Sequence, residues 1–249
     1  MLYLIGMGLH DERDLSLKAV EALRGCERVY LESYTSCFNG DINRLQEMLG
    51  KEVVLLDRKD LEENPEENVL AGGEVGLIVM GDPMVATTHS DLVLRAREKG
   101  AEVKVIHSSS VYSAIAETGL QIYKFGRTTT IAYPEGDYFP KSPYEALKEN
   151  HMRGLHTLLL LDVKADEGRY MTVNEGIKYL LMMEESCLQN QFKKDSKCVG
   201  VARLGGDTAI RYGTAEEVIK EEFGGPPHIL IVPGKMHYME EEMLKAYEV

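Results

Sequence analysis

The sequence predicts an α/β fold whose first part contains a mainly parallel sheet. Strand-like apolar segments recur there with helical patterns between them, at residues 2–5, 28–31, 53–56, 76–80 and 102–106. Short apolar runs that alternate with helical spacing are typical of β-α-β units, which build parallel sheets. The segment 76–80, Gly-Leu-Ile-Val-Met, contains no polar side chain. A continuous apolar run of this kind favours a strand buried on both faces of the sheet.

From about Phe125 onwards the predicted strands and helices follow a different order. Further strands are predicted at 128–132, 157–161, 198–202 and 228–232, and two helices at 142–150 and 172–185. We therefore expect two α/β domains, residues 1–118 and 119–249, with a crossover at 119–126. The acidic segment 61–73 contains Asn64-Pro65 and predicts a loop or a short capped helix.

Two glycine-containing turns follow apolar strands in the first domain. The first is Gly6-Met-Gly8-Leu9-His10-Asp11, and the second is Gly81-Asp82-Pro83. Glycine lets the backbone approach a ligand closely, and ligands of open α/β sheets bind at the carboxyl ends of the strands. Asp82 is then a candidate hydrogen-bond acceptor. The alternative is an ordinary strand-to-helix turn that Asp82 caps.

The first turn lacks the third glycine of a dinucleotide-binding Gly-x-Gly-x-x-Gly motif. Asp11 stands at that position, where its charge would repel a pyrophosphate. A standard dinucleotide site is therefore disfavoured. Asp14 and Ser16 are candidate caps for the helix that follows, whose apolar residues recur at helical spacing through Leu23.

Composition and charge favour a soluble globular protein over a membrane protein or a nucleic-acid-binding protein. The chain has 249 residues, 44% of them hydrophobic, which is enough for one large or two moderate domains. No apolar run approaches the roughly 18 residues of a membrane helix, and no signal-peptide pattern opens the sequence. We expect a soluble cytoplasmic protein that does not bind membranes. A net charge of −13 disfavours direct nucleic-acid binding. The acidic surface either binds a basic protein partner or only keeps the protein in solution.

The cysteines and histidines predict no metal site. Cys26, Cys37, Cys187 and Cys198 form neither a Cys-x-x-Cys pair nor the dense spacing of a disulfide framework. The seven histidines include no His-x-x-x-His pair.

Many segments, all in one order, resemble the diphthine synthase family. The matching segments are residues 2–14, 30–36, 81–89, 105–110, 119–126, 148–150, 154–164, 169–174, 200–203 and 227–228. One Gly-Asp-Pro turn would be weak evidence, whereas so many segments in sequence order are specific. The family is part of the tetrapyrrole methylase-like methyltransferases that use S-adenosyl-L-methionine.

The resemblance implies two α/β domains with S-adenosyl-L-methionine folded into the cleft between them, usually in a homodimer, and S-adenosyl-L-homocysteine as product. The family's cofactor positions fall on Leu9, Asp82, Val85, Ser110, Val111, Leu161, Leu204 and His228. Their aliphatic members would supply apolar walls, and the backbone would supply most polar contacts. Asp82 would accept hydrogen bonds from the ribose or from the cofactor's ammonium group.

The resemblance also implies the substrate. Diphthine synthases methylate the amino group of a 3-amino-3-carboxypropyl arm on a modified histidine of translation elongation factor 2, and archaeal-type enzymes add three methyl groups. We assign no catalytic residue and expect positioning to carry much of the rate. Thr87, Thr88 or His89 would orient the amine, the alternative being that they cap the next helix.

The product of trimethylation is a cation without N–H groups, which favours apolar or aromatic walls. Tyr34, Tyr112 and Tyr123 are candidates for a cation–π contact, although tyrosines at such spacings are more often core residues. The segment 30–36 either covers the substrate entrance or simply ends a strand.

Two other functions remain open at this point. A corrinoid or porphyrinoid C-methyltransferase of the same fold would carry Gly-x-Gly-Pro-Gly-Asp near the N-terminus, where this chain has Gly6-Met-Gly8-Leu9-His10-Asp11. A noncatalytic nucleotide-binding regulatory protein would bind S-adenosylmethionine without transferring a methyl group. The sequence of the first turn favours the diphthine branch.

Overall fold

The structure, a computed structural model, describes residues 1–32, 34, 36–136 and 139–249. The chain divides into two compact units. Unit 1 comprises residues 1–111 and 164–168, and unit 2 comprises residues 112–163 and 169–249. The domain ranges 1–118 and 119–249 stay a prediction.

Strands and helices alternate through most of the described chain. The strands are β1 (Leu2–Gly6), β2 (Arg28–Glu32), β3 (Val54–Leu56), β4 (Val75–Val79), β5 (Val103–Ile106), β6 (Thr129–Ile131), β7 (Thr157–Leu161), β8 (Val163–Lys164), β9 (Arg169–Tyr170), β10 (Lys197–Ala202), β11 (Ala209–Thr214) and β12 (His228–Val232). The α-helices are α1 (Leu17–Gly25), α2 (Ile42–Leu49), α3 (His89–Glu98), α4 (Val111–Ala114), α5 (Ser142–Met152), α6 (Val173–Cys187), α7 (Ala215–Val218) and α8 (Tyr238–Lys245).

Unit 1 is built on a five-stranded parallel sheet in the order β3-β2-β4-β1-β5. All residues of β4 are buried. Val75, Leu77 and Val79 pack into one apolar cluster, whereas Ile78 packs into another. Because successive side chains of a strand point to opposite faces, apolar clusters cover both faces of this sheet. The predicted parallel strand with two buried faces is confirmed.

Unit 2 contains a mixed five-stranded sheet in the order β11-β10-β12-β7-β6. Strand β12 is antiparallel to both of its neighbours, β10 and β7, whereas β6 and β7 are parallel. Strand β11, in which Ile210, Tyr212 and Gly213 are buried, was not predicted from the sequence. Arg211 and Gly213 dilute the apolar signal of this edge strand, because neither residue type is frequent in buried strands.

The other predicted elements are present, with small shifts of their ends. Helix α5 extends slightly beyond the predicted 142–150, and α6 is shifted slightly towards the C-terminus relative to 172–185. The segment 61–73 starts within a π-helical turn, Lys59–Glu63, that has no side-chain cap, and it continues as turns. None of the helices in the described ranges is long and apolar enough to cross a membrane.

A buried polar network in unit 2 fixes the start of α8. The Glu240 carboxylate accepts hydrogen bonds from the N–H groups of Gln121 at 2.9 Å and His237 at 2.7 Å. It also lies 3.0 Å from His156 Nε2 and pairs with Lys124 Nζ. Both Glu240 and His156 are fully buried. The network therefore ties α8 to β7 and to the crossover segment 119–126.

The pKa values of Glu240 and His156 are both lower than usual in this network. Burial acts to raise the pKa of Glu240, but hydrogen bonds from Lys124 and from peptide groups outweigh it and lower this pKa to about 2. Burial lowers the pKa of His156, whose Nδ1 accepts a hydrogen bond from Gly234 N at 2.9 Å. The neutral ring therefore carries its proton on Nε2 and donates it to Glu240.

Glu240→Gln is expected to lower the free energy of unfolding by about 3 kcal/mol, because removing one partner of a buried charge pair leaves the other unpaired. The measurement is chemical denaturation near pH 7. Glu241→Gln is the matched control, since Glu241 lies next in the same helix and is exposed.

The same pair of proteins gives a pH test. The folded state lowers the pKa of Glu240 from 4.5 to about 2, so the unfolded state binds the proton first as the pH falls. The stabilising contribution is complete above about pH 4.5 and is lost as the pH falls towards about 2. The stability difference between wild type and Glu240→Gln should therefore shrink on acidification. A difference that stays constant down to about pH 3 would contradict this account.

Candidate functional site

In unit 1 the Asp82 carboxylate joins the carboxyl ends of neighbouring strands. Asp82 follows β4 and is buried. Its Oδ1 accepts a hydrogen bond from Met84 N at 3.0 Å, within its own turn. Its Oδ2 accepts hydrogen bonds from His107 Nδ1 at 2.9 Å and from Ser108 N at 3.2 Å, just after β5. Since β1 lies between β4 and β5 in the sheet, three strand ends are held in one place.

Glycines allow the turns after β1 and β4 to touch. Gly8 and Gly81 form an isolated antiparallel bridge, in which Gly81 N donates to Gly8 O at 2.7 Å. A Cβ atom on Gly6 would lie 2.6 Å from Gly81 O and 2.7 Å from Ser108 Cβ. No side chain fits between these backbones. The two glycine-containing turns therefore form one structure at the sheet edge.

The turn after β1 carries Leu9 and is ordered by Asp14. Asp14 Oδ2 accepts hydrogen bonds from Leu9 N at 3.1 Å and His10 N at 2.8 Å. Ser16 caps α1 by accepting a hydrogen bond from Ala19 N at 3.1 Å. The predicted cap at Ser16 is confirmed, and the one at Asp14 is wrong because that carboxylate faces the preceding turn. His10 Nδ1 is buried and has no hydrogen-bond partner among the described residues.

The remaining predicted cofactor residues of unit 1 lie at the same sheet edge. Val85 is half-buried in the turn after β4, Ser110 is buried after β5, and Val111 begins α4. Because β4, β1 and β5 are parallel neighbours, residues that follow them share one edge. The structure thus groups Leu9 and Asp82 with these three residues.

The three predicted cofactor residues of unit 2 also lie at one edge of its sheet. Leu161 ends β7, Leu204 comes shortly after β10, and His228 begins β12. Because β12 is antiparallel to β7 and β10, its first residue lies beside their last ones, and Ala202 pairs with His228. All three predicted residues are buried.

Both ring nitrogens of His228 are occupied within unit 2. Nδ1 accepts a hydrogen bond from Val173 N at 3.2 Å, and Nε2 lies 3.1 Å from Gly224 O and 3.0 Å from Gly225 O. Since carbonyl groups only accept, the ring proton is on Nε2. Burial lowers the pKa of His228, which keeps the ring neutral. The side chain thus holds neighbouring segments together, and a cofactor contact of His228 would come from its backbone.

Arg203 holds the loop that carries Leu204. Its guanidinium donates to Phe223 O and, at 2.8 Å, to Gly225 O, while its N–H donates to Pro227 O at 2.9 Å. Arg203 has a φ of 53°, a left-handed conformation that costs an L-residue roughly 1 kcal/mol. The sequence analysis placed Arg203 in a matching segment and missed this role.

Tyr133 is a further buried residue that the sequence analysis missed. Its N–H donates to Asp162 Oδ2 at 2.9 Å, and Asp162 directly follows Leu161. The Arg169 guanidinium lies 3.5 Å from the ring centroid, and the hydroxyl is buried with no hydrogen-bond partner in the described part of the chain. Burial raises the pKa of Tyr133 to about 12, so the hydroxyl keeps its proton at neutral pH. An unpaired buried hydroxyl costs about 1–3 kcal/mol, which a ligand would offset.

The loop after β4 leads into α3 and carries the three residues predicted to orient the amine. Thr87 Oγ1 accepts a hydrogen bond from His89 N at 3.3 Å and lies 2.5 Å from His89 Nδ1. Thr88 is the N-cap residue, but its side chain makes no capping hydrogen bond. His89 Nε2 lies 2.7 Å from Oε2 of Glu32, the last residue of β2. Helix α3 thus has no side-chain cap at its N-cap residue; Thr87, one residue earlier, bonds to the first N–H of the helix, and the orienting role of the three residues stays a prediction.

Comparison with known proteins identifies the family. The profile described as Tetrapyrrole (Corrin/Porphyrin) Methylases matches residues 1–219. A diphthine synthase from Methanocaldococcus jannaschii is 45% identical over 251 residues, which covers 98% of each chain. A crystal structure from Entamoeba histolytica has a TM-score of 0.92 at 37% identity, over 100% of this chain and 98% of that one. A crystal structure of diphthine synthase has a TM-score of 0.88 at 36% identity, over 99% of this chain and 95% of that one.

The chain belongs to the diphthine synthases of the tetrapyrrole methylase family. It is a methyltransferase, as the sequence predicted, and its step is the methylation in diphthamide biosynthesis. The predicted α/β fold of tetrapyrrole methylase type is confirmed. The corrinoid or porphyrinoid C-methyltransferase and the noncatalytic regulatory protein are not favoured.

The tyrosines predicted to contact a cation differ in their surroundings. Tyr34 is buried, and the Arg58 guanidinium lies 5.1 Å from its ring centroid, so a cation of the chain itself already lies over this ring. Tyr112 is half-buried, and Tyr123 is 79% exposed. The segment 30–36 contains two residues, 33 and 35, that lie outside the described ranges. Its role at a substrate entrance stays a prediction.

Gly6→Ala is expected to separate the ends of β1, β4 and β5, because the added Cβ would lie 2.6 Å from Gly81 O. A backbone oxygen cannot rotate away, so we expect a loss of about 1–3 kcal/mol in the free energy of unfolding. Gly25→Ala is the matched control, since a Cβ there meets no atom within 4 Å. Equal stability of the two variants in chemical denaturation would contradict the close approach of these turns.

Proposed function

We propose that the chain is an S-adenosyl-L-methionine-dependent N-methyltransferase whose substrate is translation elongation factor 2. It methylates the amino group of the 3-amino-3-carboxypropyl-histidine intermediate three times and so gives diphthine. The observation that carries the proposal is the 45% identity to a diphthine synthase over 98% of both chains. Under this proposal S-adenosyl-L-homocysteine is released after each transfer.

For cofactor binding we propose the residues at the two sheet edges, namely Leu9, Asp82, Val85, Ser110, Val111, Leu161, Leu204 and His228. Two features support this assignment. Each group contains aliphatic side chains, which suit an adenine ring and a methionine chain. Each group also has a buried polar atom nearby that lacks a partner among the described residues, His10 Nδ1 in unit 1 and the Tyr133 hydroxyl in unit 2. The residues present therefore fit S-adenosylmethionine.

The role of Asp82 in this proposal is mainly to order the turn. An ionised carboxylate has about four lone-pair sites, and Asp82 uses three of them for Met84, His107 and Ser108. One hydrogen bond from the ribose or the ammonium group of the cofactor remains compatible with this arrangement. The peptide groups of the turn supply the other polar contacts.

For the chemistry we propose that positioning dominates. Bound S-adenosylmethionine supplies an electrophilic methyl group on its sulfonium, and the attacking amine must be neutral and in line with the S–CH3 bond. An α-amino group with a pKa near roughly 8 is partly neutral at neutral pH. Alignment can then contribute on the order of 7–11 kcal/mol towards lowering the barrier, without a strong general base. Thr87, Thr88 or His89 would orient the amine.

We further propose that the enzyme is a cytoplasmic homodimer that binds neither membranes nor nucleic acid directly. The net charge of −13 supports the last point, because an acidic surface repels a phosphate backbone.

The proposed reaction is tested by intact mass spectrometry of elongation factor 2 that carries the aminocarboxypropyl-histidine intermediate, after incubation with the enzyme and S-adenosylmethionine. We expect stepwise gains of about 14 Da, because each transfer replaces N–H by N–CH3, and three such gains for trimethylation. Elongation factor 2 without the aminocarboxypropyl arm is the control and should gain nothing. No gain on the intermediate, with cofactor binding shown by calorimetry, would reject the substrate.

A further inference from the structure

Three side chains of unit 1 form a line from a buried carboxylate to a partly exposed hydroxyl. Glu32 ends β2, His89 begins α3, and Thr87 lies in the loop between β4 and α3. Glu32 Oε2 lies 2.7 Å from His89 Nε2, and His89 Nδ1 lies 2.5 Å from Thr87 Oγ1. The side chains of Glu32 and His89 are 0% and 3% exposed, whereas Thr87 is half-buried. The hydroxyl is therefore the end of the line that lies nearest to solvent.

The contacts assign the proton of the His89 ring. The Glu32 carboxylate only accepts hydrogen bonds, which assigns the ring proton to the adjacent Nε2 and leaves Nδ1 to accept the proton of the Thr87 hydroxyl. Nε2 lies 2.7 Å from Glu32 Oε2, in contact with the carboxylate but at an angle that does not make a good hydrogen bond.

The Glu32–His89 pair is built differently from the other buried histidine–carboxylate pair. In the pair of His156 and Glu240, the ring Nδ1 is occupied by a peptide N–H, and the carboxylate accepts hydrogen bonds from peptide groups and a lysine. In the unit 1 pair, neither carboxylate oxygen makes a hydrogen bond of good angle within the described ranges, and Nδ1 faces a hydroxyl. A carboxylate buried with so few partners costs several kcal/mol. The hydrogen-bonding atoms of His156 and Glu240 are therefore occupied by other groups of the protein, whereas those of Glu32 are not.

The backbone that presents Thr87 is held in an unfavourable conformation. Ala86, directly before it, has a φ of 52°. The left-handed region costs a non-glycine residue roughly 1–2 kcal/mol, and such strain is concentrated at functional sites. The strained residue lies in the turn of Asp82, next to the predicted cofactor residue Val85. The hydroxyl is thus presented at the same sheet edge as the proposed cofactor residues.

The charged surroundings of His89 include few other titratable groups. Glu32 of β2 faces the ring directly, and Tyr34 follows two residues later. Burial and then the charge of Glu32 raise the pKa of Tyr34, so this hydroxyl stays neutral. Glu62 and Arg58 lie around Tyr34 with opposite charges. Within this group of side chains, His89 Nδ1 is the atom that lies 2.5 Å from the Thr87 hydroxyl.

We propose that Thr87, His89 and Glu32 form a proton relay for the substrate amine, with Thr87 as the residue that touches the substrate. This inference rests on the proposed function. The Thr87 oxygen takes a proton from the substrate ammonium while its own proton passes to His89 Nδ1. The result is a neutral amine and an imidazolium beside the Glu32 carboxylate, so charge and protons balance. After each methyl transfer the proton returns through Thr87 to water, so the His89 ring is neutral again before the next amine is deprotonated.

The relay also explains how the enzyme distinguishes intermediate from product. The mono- and dimethylated amines still carry an N–H when protonated and can bond to the Thr87 oxygen. The trimethylammonium carries none, so it loses this contact and is released. The hydrogen bond to Thr87 is thus available only while the nitrogen still carries an N–H group.

The relay is tested with Thr87→Val, which keeps the shape of the side chain and removes the hydroxyl, and with Thr87→Ser, which keeps the hydroxyl. At pH 7 we expect Thr87→Val to lower kcat by at least about tenfold with a smaller effect on KM, a typical loss for a missing proton-transfer group. The defect should diminish towards pH 9, because the amine is then neutral without the relay. Thr87→Ser should stay within a few-fold of wild type. Thr130→Val, the same change at an exposed strand residue, is the matched control.

Two outcomes would overturn the relay. One is an unchanged kcat and pH profile in Thr87→Val, and the other is an equal defect in Thr87→Ser and Thr87→Val. A readout that needs no activity is nitrogen NMR of the free enzyme with labelled histidine. We expect the neutral ring of His89 to be protonated on Nε2, and the Nδ1 resonance to shift in Thr87→Val. A ring protonated on Nδ1 would reject the relay even if methylation occurs, whereas a wild type without methyl transfer would reject the proposed function instead.

Discussion

The Asp82 carboxylate is the interaction on which the proposed site of unit 1 depends. It accepts hydrogen bonds from its own turn and from two groups after β5, so the ends of β4 and β5 are held on either side of β1. This arrangement depends on glycine at two levels: a Cβ on Gly6 would lie 2.6 Å from Gly81 O, and Gly8 and Gly81 adopt positive φ angles of 104° and 74°. A small set of backbone constraints thus sets the positions of all five proposed cofactor residues in this unit.

The histidines described here have three different roles, which follow from the groups that their ring nitrogens contact. His228 and His156 use both ring nitrogens for peptide groups or for a saturated carboxylate, and burial lowers the pKa of each. Both rings are therefore structural. His89 lies between the Glu32 carboxylate and the half-buried Thr87 hydroxyl, and the proposed relay assigns it the transfer of a proton. His107 is exposed, and its Nδ1 bonds to Asp82.

The sequence predicted the fold but not the contacts among the candidate site residues. Strands such as β4 and β7 are continuous apolar runs, so local pattern alone was sufficient to find them. Strand β11 was missed because half of its residues face away from the core and Arg211 and Gly213 interrupt the pattern. The pairing of Glu32 with His89 could not be predicted, since it depends on β2 and β4 being neighbours in the sheet. The Thr87 oxygen accepts a hydrogen bond from His89 N at the start of α3 and contacts the ring, and its role in orienting the amine stays a prediction.

The most direct test of the central claim is calorimetric titration of S-adenosylmethionine into Asp82→Asn, with wild type and Asp91→Asn for comparison. Asp91 is an exposed carboxylate of α3 that pairs with Arg95 of the same helix. The NH2 group of an asparagine at position 82 would face the N–H groups that the Asp82 carboxylate now accepts from. At least one of these hydrogen bonds would be lost, and the turn would be held less firmly. We expect the Kd to rise by at least about tenfold, equivalent to about 1.4 kcal/mol, in Asp82→Asn alone. An unchanged Kd would show that the site does not depend on this carboxylate and would contradict the account.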